Sequence, residues 1–154
     1  MKTFFKFILL VVVLNIVRYF VGGPIEGVTI MEPMHEVMPL YPDTFDNDFS
    51  TTDFALSFFY NFMMWFTATW VFHIAHPAVS GNMIMKSLKL FGLMCLFFIS
   101  LAAIYMNHYA DPIKKFYLFS MLDAIIVFTV VALANGLIYP KLFAKNAAKE
   151  ISAS

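Results

Sequence analysis

The sequence predicts an all-α fold: an antiparallel four-helix transmembrane bundle, N-in/C-in, with an ordered extracytoplasmic loop between its first and second helices. Three observations point there. The first is composition. The 154 residues are 61% hydrophobic and 13% charged, where a soluble domain holds about 45–50% and about 25%. The mean hydropathy is +0.77. The second is that four apolar stretches each approach the ~20 residues needed to cross a hydrocarbon core of ~30 Å. The third is the segregation of basic residues. If the N-terminal side is called inner, Lys2, Lys6, Lys86, Lys89, Lys141, Lys145 and Lys149 fall on it, and Arg18, Lys114 and Lys115 fall on the other. That asymmetry satisfies the positive-inside rule and places both termini in the cytoplasm, as for a bacterial inner-membrane protein.

Span one is read over about 3–22. Lys2 and Lys6 before an apolar run resemble a secretion signal, but Arg18 follows the run and no A-x-A site appears, so the run reads as a true span. Gly22, Gly23 and Pro24 are expected to end it. Phe7, Val11, Asn15, Arg18 and Gly22 recur every three or four residues and share a face. An outer loop over 23–53 follows. It is acidic, with Glu26, Glu32, Glu36, Asp43, Asp46, Asp48 and Asp53 and no Lys or Arg. A loop this long is often folded or functional. Pro33 is expected to open a short helix with Met34, Val37 and Met38 on one side, and Pro39 to close it, with the apolar side laid on the bundle.

Span two is read over about 54–76. Ser50 and Asp53 stand at capping-box spacing before it, and Pro77 ends it. Trp65 lies too far inside to be an interfacial tryptophan. A short linker over 78–87 leads to span three, about 88–107, where Gly92, Cys95, Ile99 and Ala102 form a small-residue face suited to close helix packing. Asp111–Pro112 is the turn into span four, about 114–139. Asn135–Gly136 and Pro140 are expected to close that span, leaving a cytoplasmic tail over 141–154. The whole reads as a single four-span domain of 1–154, with no internal repeat.

The chemistry worth weighing lies at one depth. Counted at ~1.5 Å per residue from each outer end, Arg18, Asn61, Ser100 and Asp123 fall into one layer, with Ser120 and Asn15 near it. An ionisable residue inside a span calls for a partner. Arg18 is the expected partner of Asp123, with Asn61, Ser100 and Ser120 as hydrogen-bonding neighbours. Three readings of this layer stay open: a structural ion pair that fixes helix register, a site for a lipid headgroup, small polar ligand or ion, and a surface turned toward a partner subunit.

A second set, Met31, Met34, His35 and Met38, offers thioethers and an imidazole. That donor set suits Cu(I), so copper is the metal considered. The chain is Met-rich throughout, and Met at helical spacing is more often packing. A third set, His73 and His76, sits at the inner end of span two. Histidines at matching depth on facing spans are missing, so bis-His haem is rejected, as is a multi-His di-iron site. The single Cys95 excludes an intrachain disulfide and a cysteine metal cage. The formal charge of +0 gives no argument for nucleic acid as a partner. No G-x-S-x-G, H-E-x-x-H, P-loop or G-x-G-x-x-G occurs, so nothing positive supports an enzyme.

Three functions follow as expectations. The first is a non-enzymatic subunit or homo-oligomeric component of a membrane assembly, partnered by the lipid bilayer and by other membrane chains or itself. The second is a small-molecule, lipid or ion binding or transport module built on the Arg18/Asp123 layer. The third is extracytoplasmic copper handling through the Met/His loop.

Overall fold

The computed structural model describes residues 2–45, 50–106, 108, 109 and 111–151, with the helical backbone alone at 112 and 144–151. Among these residues the secondary structure is all helical. Asp46 and Asp48 of the acidic loop, Asn107 at the end of span three and the side chains of Lys145 and Lys149 lie outside what is described. Three helices are long and apolar enough to cross a membrane: Lys2–Thr29, Met83–Met106 and Ile113–Phe143. They mark the chain as an integral membrane protein. Much of their surface is apolar and open, as lipid contact requires, with Phe20 and Phe97 more than 70% exposed.

Helix α1 (Lys2–Val17) buries Phe7, Val11 and Asn15, the face its spacing predicts, together with Leu10 and Leu14. It does not end at Gly22. A π-helical turn, Arg18–Gly22, carries it into α2 (Gly23–Thr29). The Gly23 N–H reaches back five residues to the Arg18 carbonyl. That wider turn is where Pro24, at the start of α2, is accommodated: its ring would collide with a carbonyl of a regular α-turn and its missing N–H would leave a gap. The Gly-Gly-Pro stop signal is thus overruled, and the expected loop over 23–53 begins as helix.

α3 (Met31–Val37) and a 3-10 turn, Met38–Leu40, follow. Ile30 and Val37 are buried, so the apolar side is down as expected. Glu36 meets Lys115 at 3.7 Å and the Phe45 ring meets Phe116 at 4.8 Å, which fastens this segment to the start of the last helix.

α4 (Thr51–Ala75) starts with the expected capping box. The Ser50 hydroxyl and N–H donate to Asp53 Oδ2 at 2.6 and 2.9 Å, and the Asp53 N–H donates to Ser50 Oγ at 3.3 Å. Asp53 precedes the apolar run. The Ser50 hydroxyl first, then the Ser50 N–H, hold its carboxyl below the ordinary range. A depressed folded-state pKa stabilises above the unfolded value of about 3.9 and is lost as pH falls through the folded value. Asp53→Ala is therefore expected to speed amide exchange over residues 51–55 at neutral pH. The unaltered protein should show the same fraying only in acid. Equal exchange in both at neutral pH would refute the cap's role.

α5 (Met83–Met106) begins five residues before the expected Leu88, because the Asn82 side chain accepts from the Met85 N–H and caps it. α6 (Asp111–Ile151) runs through both expected stops. Asn135 and Gly136 are not a turn but the seam with α5. The Asn135 Nδ2 donates to Ser87 Oγ at 3.0 Å, with both residues fully buried. A Cβ on Gly136 would stand 2.6 Å from Ile84 Cα. Pro140 sits inside the helix, and its flanks are pinned: Tyr139 Oη lies 2.6 Å from His73 Nδ1, and Lys6 Nζ donates to the Leu142 carbonyl at 2.8 Å.

Contacts run α1–α4, α4–α5, α5–α6 and α6–α1, and α6 also carries α3. Phe7 of α1 packs against Trp70 of α4 and Tyr19 of the π turn against Phe58 of α4, so these two run in opposite directions, and Ile84 of α5 lies against Gly136 of α6. The core is Leu10, Leu14, Trp65, Phe72, Phe91, Phe128 and Val131.

Candidate functional site

Most of the expected polar residues come together, with different partners from those expected. Arg18 Nη1 meets Glu26 Oε2 at 3.0 Å, and the two side chains are only 17% and 7% exposed. Eight residues apart on a regular α-helix, they would differ by about 80° around the axis. The π turn between them winds more slowly and removes most of that offset. It also sets Glu26 Oε1 and the Val127 side chain each within 4 Å of a Cβ at Gly22, so Glu26 is held beside α6. Arg18 is therefore committed to Glu26, not to Asp123.

Asp123 shares a cavity with Arg18 without pairing with it. Its Oδ1 is buried and has no hydrogen-bond partner among the described residues. Asp123 lines a cavity of about 350 Å³ between the π turn, α4, α5 and α6, together with Arg18, Asn61, Trp65 and Ser120. Four of the five expected residues, Arg18, Asn61, Ser120 and Asp123, thus share one chamber. The fifth does not: Ser100 is exposed on α5 beside Leu96 and Phe97. The periodicity of α5 does not say which face turns inward, and depth alone misplaced it. Asn15 is buried but donates to its own helix, at the Val11 carbonyl 2.9 Å away.

The chamber's polar atoms are oriented by bonds on their far sides. Asn61 Nδ2 donates to Tyr19 Oη at 2.7 Å, which leaves Oδ1 buried and unpaired. Tyr19 is itself fixed by stacking on Phe58, with ring centroids 5.8 Å apart. The Ser120 hydroxyl donates to the Phe116 carbonyl at 3.0 Å, so its oxygen is free to accept. Trp65 is fully buried, tilted against Phe128 at 4.9 Å, and its Nε1 has no partner among the described residues. An unpaired buried polar atom costs about 1–3 kcal/mol. Three such atoms, Asn61 Oδ1, Trp65 Nε1 and Asp123 Oδ1, belong to side chains that line this one cavity.

Glu26 and Trp65 were missed as site residues. Glu26 was hidden by reading Pro24 as a stop, and only the apolar character of Ile25 and Val28 hints that the helix goes on. Trp65 was findable, because it stands four residues from Asn61 and so on the same face.

The other expected sets lie apart. Met31, Met34 and His35 are on α3, with His35 exposed, and Met38 opens the following 3-10 turn. Among the described residues no group of three or more His, Cys, Asp or Glu is placed to hold a metal ion. His73 is hydrogen-bonded to Tyr139, and His76 Nδ1 faces the Phe72 and His73 carbonyls at 3.2 and 3.0 Å, so both ring nitrogens in contact are engaged within the protein. A second cavity of about 230 Å³, lined by Gly92, Cys95, Phe128, Thr129 and other apolar residues, opens between α5 and α6. Gly92, expected to admit a close helix, has nothing within 4 Å of its Cβ position. Gly136 is the residue in that role.

No family model, curated protein or solved structure matches the chain.

Proposed function

We propose that the protein is a non-enzymatic binding module of the membrane, in which the Arg18/Asp123 chamber receives a small molecule or the head of a lipid. In this reading α4, about 37 Å long at ~1.5 Å per residue, is a fourth span. The four spans form a bundle with both termini in the cytoplasm, and the chamber lies in the outer half. The observation that carries the reading is that three side chains with a buried, unpaired polar atom line one cavity. Structural polar layers satisfy their own groups. At the α5–α6 seam Asn135 Nδ2 bonds Ser87 directly and one buried atom, Asn135 Oδ1, stays unpaired, whereas side chains carrying three such atoms line the cavity. The chamber has the volume of a ligand site, about 300 Å³ or more, and its mix of apolar wall and few polar groups.

The test is native mass spectrometry of the protein extracted gently from its own membrane, with small-molecule and lipid analysis of the same sample. The binding reading expects the chain alone, or with copies of itself, retaining one defined small molecule or lipid. Ala124→Phe, which fills the chamber wall, should release it. Recovery with defined other chains and no retained molecule would instead make this a subunit of a larger assembly.

A further inference from the structure

We propose that the chamber's ligand is a protonated organic amine, seated with its ammonium group against Asp123 and Asn61. This rests on the binding reading above and adds the class of ligand.

Charge is the first ground. Arg18 is neutralised by Glu26 at 3.0 Å. Asp123 is the carboxylate that lines the chamber, and it makes no ion pair among the described residues. A carboxylate withdrawn from water calls for a positive partner. Hydrogen-bonding polarity is the second. Asp123 Oδ1, Asn61 Oδ1 and Ser120 Oγ all accept, whereas Trp65 Nε1 is the one unpaired donor. A ligand head that complements this set is rich in N–H donors. The donor at Trp65 leaves a place for one acceptor oxygen on the same molecule. The walls are the third ground: Tyr60, Trp65, Phe98 and Phe128 line the cavity. Aromatic rings beside a carboxylate are the surroundings in which ammonium groups are held.

Other occupants fit less well. A proton on Asp123 would satisfy that group and leave Asn61 Oδ1 unpaired in a cavity of about 350 Å³. A divalent metal of the calcium or magnesium kind takes six or more oxygens, and this wall is mostly aromatic and aliphatic. An anion would meet Asp123 with Arg18 already engaged.

The experiment uses Trp65 as the reporter. The chain has two tryptophans, so Trp70→Phe leaves Trp65 alone, in full-length protein in lipid nanodiscs. Hexylammonium, hexan-1-ol and hexanoate are matched probes of charge. The expected result is a saturable change in Trp65 emission with hexylammonium, at concentrations about tenfold or more below those needed for hexanol, and none with hexanoate. Asp123→Asn should weaken the amine by about tenfold or more, while Asp123→Glu keeps part of its affinity. If Asp123→Asn does not accumulate, the three probes on the otherwise unaltered chain still decide.

Saturable binding of hexanol or hexanoate at least as tight as the amine would overturn the amine assignment and leave the binding reading standing. So would a response to sodium or potassium chloride with none to hexylammonium. The same amine response in Ala124→Phe protein would mean partition into lipid, and would overturn both the amine assignment and the chamber as its site.

Discussion

Gly136→Ala should loosen the α5–α6 seam by about 3 kcal/mol, the upper end of the cost of overpacking. Two effects oppose each other there. Alanine is the better helix former by about 1 kcal/mol. Against that, the added Cβ would lie 2.6 Å from Ile84 Cα and 3.1 Å from Ile84 N. Those are backbone atoms, which cannot swing aside as a side chain would, so one helix must move. The movement would also pull Asn135 from Ser87, a fully buried pair. Gly92→Ala is the matched control. Nothing lies within 4 Å of its Cβ position, so only the propensity term acts, and the change should stabilise by up to about 1 kcal/mol. Denaturation in mixed micelles reads both. A loss at Gly92 equal to that at Gly136 would contradict the seam.

Arg18→Met should cost about 3–5 kcal/mol, the usual penalty for stranding one partner of a buried ion pair. Glu26 would then be a nearly inaccessible carboxylate with no ion-pair partner among the described residues. Replacing both partners, Arg18→Met with Glu26→Leu, removes the stranded charge and should recover most of that loss. A double variant as unstable as the single one would mean that Arg18 acts through some other contact, such as its approach to the Tyr19 ring at 4.9 Å. Asp123→Met in place of Glu26→Leu should rescue little, because Asp123 is not the bonded partner. That three-way comparison separates the observed pairing from the one that depth alone suggests.

Long apolar periods made the helices legible in the sequence, and cap chemistry made one boundary legible to the residue, at Ser50–Asp53. The failures share one physical origin. Gly22-Gly23-Pro24, Asn135-Gly136 and Pro140 are local stop signals, and each was overruled by packing. A π turn absorbed Pro24, a neighbouring helix needed the missing side chain of Gly136, and Tyr139 and Leu142 pinned the flanks of Pro140. Local propensity is a weak prior where a membrane obliges the backbone to bond within its own helix. The site was legible as a depth but not as a pairing. Rise per residue put Arg18, Asn61 and Asp123 in one layer. Helix rotation, which brought Ser120 and Trp65 in and left Ser100 out, is set by tertiary contacts that periodicity does not encode. Glu26 was lost with the helix that carries it.

The most direct test of the chamber is a thiol placed inside it. Ser120→Cys, in a Cys95→Ala background, changes one atom of a wall residue. Intact vesicles of known orientation would be treated with two membrane-impermeant methanethiosulfonate reagents, one bearing a trimethylammonium group and one a sulfonate. Rapid modification by the cationic reagent is expected from the side opposite the termini, with slower modification by the anionic one and loss of both when Ala124→Phe fills the space. A thiol that neither reagent reaches, or one modified as fast with Ala124→Phe present, would contradict an open polar chamber at Asp123.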